Sequence, residues 1–236
     1  MNTPAHAHSY NTVFLLPILI LLMGTGCQVN QGNYVGTPFG DDHHAPLPQE
    51  IPGRLQCEFF DMGGEGVAFH DSDSINSGSG ALNPADGNYL NEFRIHEPVD
   101  ISYTKFRDPL IDNSPYNFVT PEPDQLYVGW TSPGEWTKYT IKVKQTGQYK
   151  LGLLYTANQK GQISLSIDDT DLTGPIDITS TSVAEDTIAW RQWHHWNYRD
   201  NLTVVELKEG IHTITLHTVA VGQMNYEHLD FELIEP

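Results

Sequence analysis

The sequence predicts an all-β protein, an antiparallel β-sandwich of the jelly-roll type. Apolar side chains recur at every second position in residues 149–155 and 163–167, which is the period of a half-buried strand. Glycines separate such runs, and Lys208-Glu209-Gly210 has the composition of a hairpin turn. No stretch repeats at helical spacing, so the crossover helices that a parallel sheet needs are missing.

Each predicted strand is a short run rich in β-branched, aromatic or alternating apolar residues and bounded by turn formers. In chain order the predicted strands cover residues 54–60, 66–70, 127–130, 139–144, 148–157, 162–168, 202–208, 211–219 and 226–234. With 236 residues the chain is long enough for one well-buried core. We therefore predict one β-sandwich domain over residues 51–236, with a long loop insertion at about 81–126.

The amino-terminal residues are predicted to be an export signal and a linker. An apolar run at 13–23 is too short for a stable membrane span and ends in Gly24-Thr25-Gly26-Cys27. Small residues directly before a cysteine resemble the cleavage site of bacterial lipoproteins, so residues 1–27 are predicted to be a signal peptide that leaves Cys27 acylated. This predicts an exported lipoprotein at the outer membrane or cell surface, with plain secretion as the alternative. Residues 28–50 are predicted to be a flexible linker.

The net charge of the chain excludes some classes of binding partner. The formal charge is −18, and none of it lies in the first 40 residues. Such a surface repels phosphate backbones and anionic lipids, so nucleic acid is excluded as a partner and membrane contact is expected only through a lipid on Cys27. Neutral ligands and cations such as calcium are favoured, and the chain is expected to be monomeric.

Aromatic side chains at predicted strand ends indicate a saccharide site. Trp130 and Trp190 have Pro, Gly or charged neighbours nearby, and Asn225 directly precedes the last predicted strand. Indole rings pack on the apolar C–H faces of a pyranose, while hydroxyls need polar partners such as a carboxamide. The alternative is that these tryptophans belong to the core.

Four separated motifs resemble a known family. They are Ile51 to Asp61, Gly63 to Asp71, Val128 to Trp136 and Asn225 to Phe231, and in this order they resemble a family 6 carbohydrate-binding module. The resemblance implies a β-jelly roll that binds polysaccharide or oligosaccharide without performing chemistry. It also implies that Trp130 and Trp190 flank the sugar and that Asn225 hydrogen-bonds its hydroxyls. We add His70 and Trp193 to the predicted ligand-binding residues.

The resemblance further implies a structural calcium ion held by Gln56, Glu58 and Glu227. Hard Ca²⁺ takes six to eight oxygen ligands, and donors from both ends of the domain would clamp its termini together. Glu227 stands where the family usually has aspartate. The alternative is an exposed acidic pair.

Two other functions are weighed against binding alone. A glycoside-active hydrolase on a jelly-roll scaffold would use Glu65, His70 and Asp71, while a structural surface protein would dock another protein through an apolar patch. The insertion at 81–126 would either wall the sugar cleft or form a local core of its own.

Overall fold

Two β-sheets form the body of the protein in the computed structural model, which describes Met1, residues 34–107 and residues 110–235. The strands are β1 Gln49–Ile51, β2 Gly53–Gln56, β3 Phe69–His70, β4 Ile101–Tyr103, β5 Leu126–Val128, β6 Trp136–Val143, β7 Gly147–Ala157, β8 Gly161–Ile167, β9 Thr170–Asp171, β10 Ile176–Ile178, β11 Asn197–Leu207, β12 Gly210–Ala220 and β13 Met224–Glu235. A short α-helix, α1, covers Tyr89–Glu92, and 3₁₀ helices cover Cys57–Phe59 and Ala189–Trp193.

The strands pair in the manner of an antiparallel sandwich. One sheet has the order β1-β6-β12-β8-β10, with β3 on β6 and β9 on β8. The other has the order β11-β7-β13-β5-β4, with β2 on β13. All of these pairings are antiparallel except that between β1 and β6. The predicted all-β, antiparallel sandwich is confirmed.

The core lies where the alternating patterns predicted it. Tyr149, Leu151, Leu153 and Tyr155 of β7 are fully buried, as are Ile163 and Leu165 of β8. These side chains belong to one cluster of buried apolar residues that includes members from the strands of both sheets. The thiol of Cys57 joins this core, and burial raises its pKa well above the usual range.

Residues 34–50 pack on the sandwich, which differs from the predicted flexible linker. Phe39 is buried and stacks on Phe59 with ring centroids 5.0 Å apart. Tyr34 donates a hydrogen bond to Asp61 at 2.8 Å, and β1 adds a parallel edge to the first sheet. The few apolar residues of this segment are too widely spaced to show a period, and of them Phe39 is buried while Val35 and Leu47 are exposed. Residues 2–33, which include Cys27 and most of the predicted signal, lie outside the described residues.

The insertion between residues 81 and 126 is mostly loop. It contains α1 and β4, and Tyr103 donates a hydrogen bond to Asn91 at 3.1 Å. Phe93 is buried in the main core, with Tyr89 packed against it at a centroid distance of 5.5 Å. The aromatic residues near α1 thus contribute to packing. In the described part of the chain, no helix is both long and apolar enough to cross a membrane.

Candidate functional site

A pocket at one end of the sandwich brings together four of the five predicted ligand-binding residues. Its volume is about 540 Å³, and it is lined by Trp130, Trp190, Trp193, Asn225, Tyr127, Ser132, His194, Gln223, Leu82, Leu110 and Ile111. Trp130 is 37% exposed and Trp190 is 51% exposed, so both rings face solvent at the pocket. Exposed aromatic rings around a concave surface are typical of a binding site.

Trp130 is held at the pocket by the turn that follows β5. Its backbone has φ +49°, a left-handed conformation that is uncommon for a residue with a side chain. The preceding Gly129 allows the close approach of β13, because a Cβ there would lie 2.8 Å from the Asn225 carboxamide oxygen. Thr131 then exchanges hydrogen bonds with Met224 at 3.1 and 3.2 Å, which ties this turn to the start of β13.

Trp190 and Trp193 lie on the 3₁₀ helix Ala189–Trp193, outside every strand predicted from the sequence. Loop contacts hold this segment in place. Gln192 donates to the carbonyl oxygens of Val183 and Asp186 at 2.8 and 2.7 Å, and Arg191 pairs with the buried Asp186 carboxylate. The hydrogen bond from Arg191 lowers the pKa of Asp186, so this carboxylate stays charged.

Asn225 links the two tryptophan-bearing segments. Its amide nitrogen donates to the Trp193 carbonyl oxygen at 2.8 Å and to the Thr156 hydroxyl at 2.9 Å. Its oxygen accepts a long hydrogen bond of 3.4 Å from the Trp130 backbone N–H. The Thr156 hydroxyl also donates to the Trp193 carbonyl at 2.7 Å. The carboxamide oxygen therefore retains accepting capacity for a ligand hydroxyl, while both amide hydrogens are used internally.

His194 enters the pocket from a network that sequence reasoning missed. Its Nδ1 lies 3.0 Å from Asp112, a buried carboxylate that also accepts from the Trp196 indole N–H at 2.7 Å and from the Lys105 backbone N–H at 2.7 Å. Trp190 packs edge-on to the His194 ring with centroids 6.0 Å apart. Asp112 thus fixes the orientation of the imidazole beside Trp190, while Trp196 is fully buried and unavailable to a sugar.

His70, the fifth predicted ligand-binding residue, does not line the tryptophan pocket. It is exposed on β3, and its Nδ1 is 2.5 Å from Glu65. The residues weighed for a hydrolase, Glu65, His70 and Asp71, are joined there by hydrogen bonds and none of them lines the tryptophan pocket.

The predicted calcium ligands meet where β2 ends beside β13. Gln56 pairs in register with His228, and the irregularity between Tyr226 and His228 leaves Glu227 as the bulged residue of β13. Glu58 lies in the 3₁₀ helix Cys57–Phe59, which differs from the continuous strand predicted for 54–60. The Gln56 side-chain oxygen and one Glu58 carboxylate oxygen are buried with no hydrogen-bond partner.

The chemistry of these donors fits a hard cation. Burial raises the pKa of Glu58 well above the usual range, and the nearby charge of Glu227 raises it further. Glu227 is itself buried and is hydrogen-bonded to His228. Two orphaned oxygens beside a second buried carboxylate are the arrangement that a bound Ca²⁺ would satisfy. Within the described residues, no cluster of three or more His, Cys, Asp or Glu side chains has the arrangement of a metal site, so a calcium site here needs the Gln56 amide oxygen.

The sequence pattern of one protein family, described as Carbohydrate binding module (family 6), matches residues 111–233. No curated protein matches the chain. Among solved structures, a cycloisomaltooligosaccharide glucanotransferase from Paenibacillus sp., complexed with cycloisomaltoheptaose, is 21% identical over 48% of this chain, with a TM-score of 0.38. The chain covers only 15% of that enzyme.

Two solved binding modules are similar over more of the chain. A family 6 carbohydrate-binding module whose binding subsites were dissected by crystallography and calorimetry is 13% identical, with a TM-score of 0.47 over 80% of this chain and 99% of that module. A β-1,3-glucan-binding family 6 module from Bacillus halodurans is 12% identical, with a TM-score of 0.46 over 79% of this chain and 99% of that module.

Proposed function

Since the chain belongs to family 6 of the carbohydrate-binding modules, we propose that it binds a neutral polysaccharide or oligosaccharide in the pocket between Trp130 and Trp190. The domain is a non-catalytic carbohydrate-binding module. The observation that carries the choice of pocket is the meeting of Trp130, Trp190 and Asn225, which are distant in sequence, around one cavity of about 540 Å³.

The proposed binding mode follows from the properties of these side chains. Each indole offers an apolar plane to the C–H face of a sugar ring, and such contacts contribute about 0.5–1.5 kcal/mol per aromatic partner beyond burial. The Asn225 oxygen and the His194 imidazole then select hydroxyl positions. A shallow pocket of this kind gives dissociation constants of roughly micromolar to millimolar.

Substitution of the two exposed indoles tests the pocket. Trp130→Ala and Trp190→Ala should each lower the affinity for a bound glycan at least about tenfold, because the stacking plane is removed. Binding would be measured by titration calorimetry after a glycan array has identified a ligand. Phe118→Ala is the matched control, since Phe118 is 57% exposed but does not line the pocket. Unchanged affinity in both tryptophan variants would move the site away from this pocket.

We also propose that Gln56, Glu58 and Glu227 hold a structural calcium ion. When bound, the ion would neutralise the two buried carboxylates and join β2 to β13. The melting temperature of calcium-loaded protein should fall on addition of a chelator, because the ion binds only the folded state. Glu227→Gln should reduce that fall, whereas Glu232→Gln, on an exposed part of β13, should not. If the melting temperature of calcium-loaded protein does not change on addition of the chelator, this site is refuted.

The proposed cellular location is the cell surface, with export directed by residues 1–27 and a lipid on Cys27. The support is the small-residue pattern before Cys27. Cys27→Ser should move the protein from the membrane fraction of expressing bacteria to the soluble fraction. Equal partitioning of both forms would refute the anchor. The proposed monomeric state is tested by sedimentation.

A further inference from the structure

Part of the lining of the tryptophan pocket is apolar and comes from the insertion. Leu82 and Leu110 are 57% and 61% exposed, and with Ile111 they line the same cavity as Trp130 and Trp190. Contact between a leucine side chain and water is unfavourable, so a ligand that covers these leucines gains binding free energy. We define Leu82, Leu110 and Ile111 as the leucine wall.

The polar groups of the pocket come from elsewhere in the chain. Ser132 and Gln223 belong to the turns that border β5 and β13, while Asn225 and His194 belong to the network described above. Of the described residues that line the pocket, none is Asp, Glu, Lys or Arg. A charged sugar would therefore find no counter-ion inside this cavity, and the net charge of −18 would repel an anionic one.

The leucine wall discriminates between substituents of a sugar ring. A hydroxyl group pressed against it loses its water hydrogen bonds and gains no partner, which costs free energy. A methyl group at the same place buries apolar surface against the leucines, which is favourable. A ligand made only of hydroxylated rings would leave the wall either wet or facing unsatisfied oxygens.

We propose that the pocket selects a neutral saccharide that carries a methyl group, directed at the leucine wall. This inference rests on the proposed function and names the substrate class of the same site. The methyl group belongs either to a 6-deoxy sugar or to an O-acetyl substituent, since both present the same apolar end to the leucines.

Matched pairs of saccharides test the proposal by titration calorimetry with the full chain. The first pairs are L-fucose against L-galactose, and L-rhamnose against L-mannose, which differ only in CH₃ against CH₂OH at C6. The second comparison is acetylated against chemically deacetylated xylo-oligosaccharide. At least one methyl-bearing member should bind about tenfold more tightly than its partner. The pair that shows the preference identifies the source of the methyl group.

Variants of the wall separate this inference from the proposed function. Leu82→Ser and Leu110→Ser should abolish the preference for the methyl-bearing member, because they lower the affinity for that member more than the affinity for its hydroxylated partner. Leu47→Ser is the control, because Leu47 is 69% exposed and does not line the pocket.

Each remaining outcome has a single reading. Equal or tighter binding of the hydroxylated members refutes the methyl selection and leaves carbohydrate binding intact. A preference that survives both leucine substitutions refutes the wall as its cause. Failure to bind any saccharide on the array or in the pairs refutes the proposed function, and this inference with it.

Discussion

Asn225 is first a positioning residue and only then a ligand contact. Both hydrogens of its amide are donated inside the protein, to the Trp193 carbonyl and the Thr156 hydroxyl, and the side chain is 5% exposed. The segment carrying Trp190 and Trp193 and the turn carrying Trp130 therefore depend on the same carboxamide.

Replacing Asn225 should thus change stability and binding together. In Asn225→Ala the Trp193 carbonyl loses one donor and the Thr156 hydroxyl loses another, so the free energy of unfolding should fall by about 1–3 kcal/mol. Glycan affinity should fall as well, because Trp193 is then held by one hydrogen bond fewer and the carboxamide oxygen is lost from the pocket. Urea denaturation and calorimetry measure the two effects. Asn201→Ala, at an exposed position of β11, should change neither; a stable Asn225→Ala variant with native affinity would contradict the positioning role.

Residue by residue, the sequence predicts the aromatic residues of the pocket better than the other residues that line it. Trp130 and Trp190 were found because large aromatic rings near turn residues are an unusual pattern. Leu82 and Leu110 give no such signal, since a leucine in a loop is ordinary in a sequence and becomes informative only when its exposure is known. The role of Asp112 depends on its contacts with His194 and Trp196, which lie 82 and 84 positions further along the chain. No local sequence pattern encodes such contacts.

At the scale of elements, periodicity identified the long strands and failed where the backbone leaves the ladder. Residues 148–157 and 211–219 lie wholly within β7 and β12 as predicted, because their alternation is long enough to exceed chance. The 3₁₀ helix Cys57–Phe59 was predicted as strand and the 3₁₀ helix Ala189–Trp193 was not predicted, since three to five residues are too few to show a helical period. Both errors fall at proposed ligand positions, where side chains must leave the sheet direction.

The amino-terminal segment is an element whose contribution to stability can be measured. Phe39 is buried against Phe59, Tyr34 donates to Asp61, and β1 extends the first sheet through β6. Burial of one aromatic side chain contributes about 1.5–3 kcal/mol, and the β1 ladder adds to it. A chain that starts at Ile51 should therefore unfold at a lower temperature than one that starts at Tyr34.

Calorimetric melting of the two chains makes this comparison. Phe39→Ala in the longer chain should produce part of the same loss, whereas Val35→Ala should produce little because Val35 is 77% exposed. Equal melting temperatures for both chains would mean that residues 34–50 add nothing to the stability of the sandwich, as a free linker would.

At the scale of the whole molecule, the net charge is −18, and part of the negative charge lies in one group of carboxylates whose repulsion opposes folding. Asp71, Asp73, Asp100 and Glu135 lie close enough to act on one another. Burial, and then the neighbouring carboxylates, raise the pKa of Asp71 to about 7. Burial and the charges of Asp73 and Glu135 likewise raise the pKa of Asp100 to about 6.

These raised pKa values predict that stability falls as the pH rises. Between pH 4 and pH 7 the folded protein holds protons on Asp71 and Asp100 that the unfolded chain has already released. Folding is therefore favoured at low pH, and that advantage is lost as the pH rises through the folded pKa values. After discounting for solvent screening, the free energy of unfolding should fall by about 1–2 kcal/mol between pH 5 and pH 8.

Asp71→Asn should reduce this dependence of stability on pH, because the asparagine side chain is neutral at every pH. Asp42→Asn, at an exposed position, should leave the dependence unchanged. Urea denaturation at the two pH values measures the slope; a free energy of unfolding that rises with pH in both the parent and Asp71→Asn would show that other groups dominate the acid–base linkage of the fold.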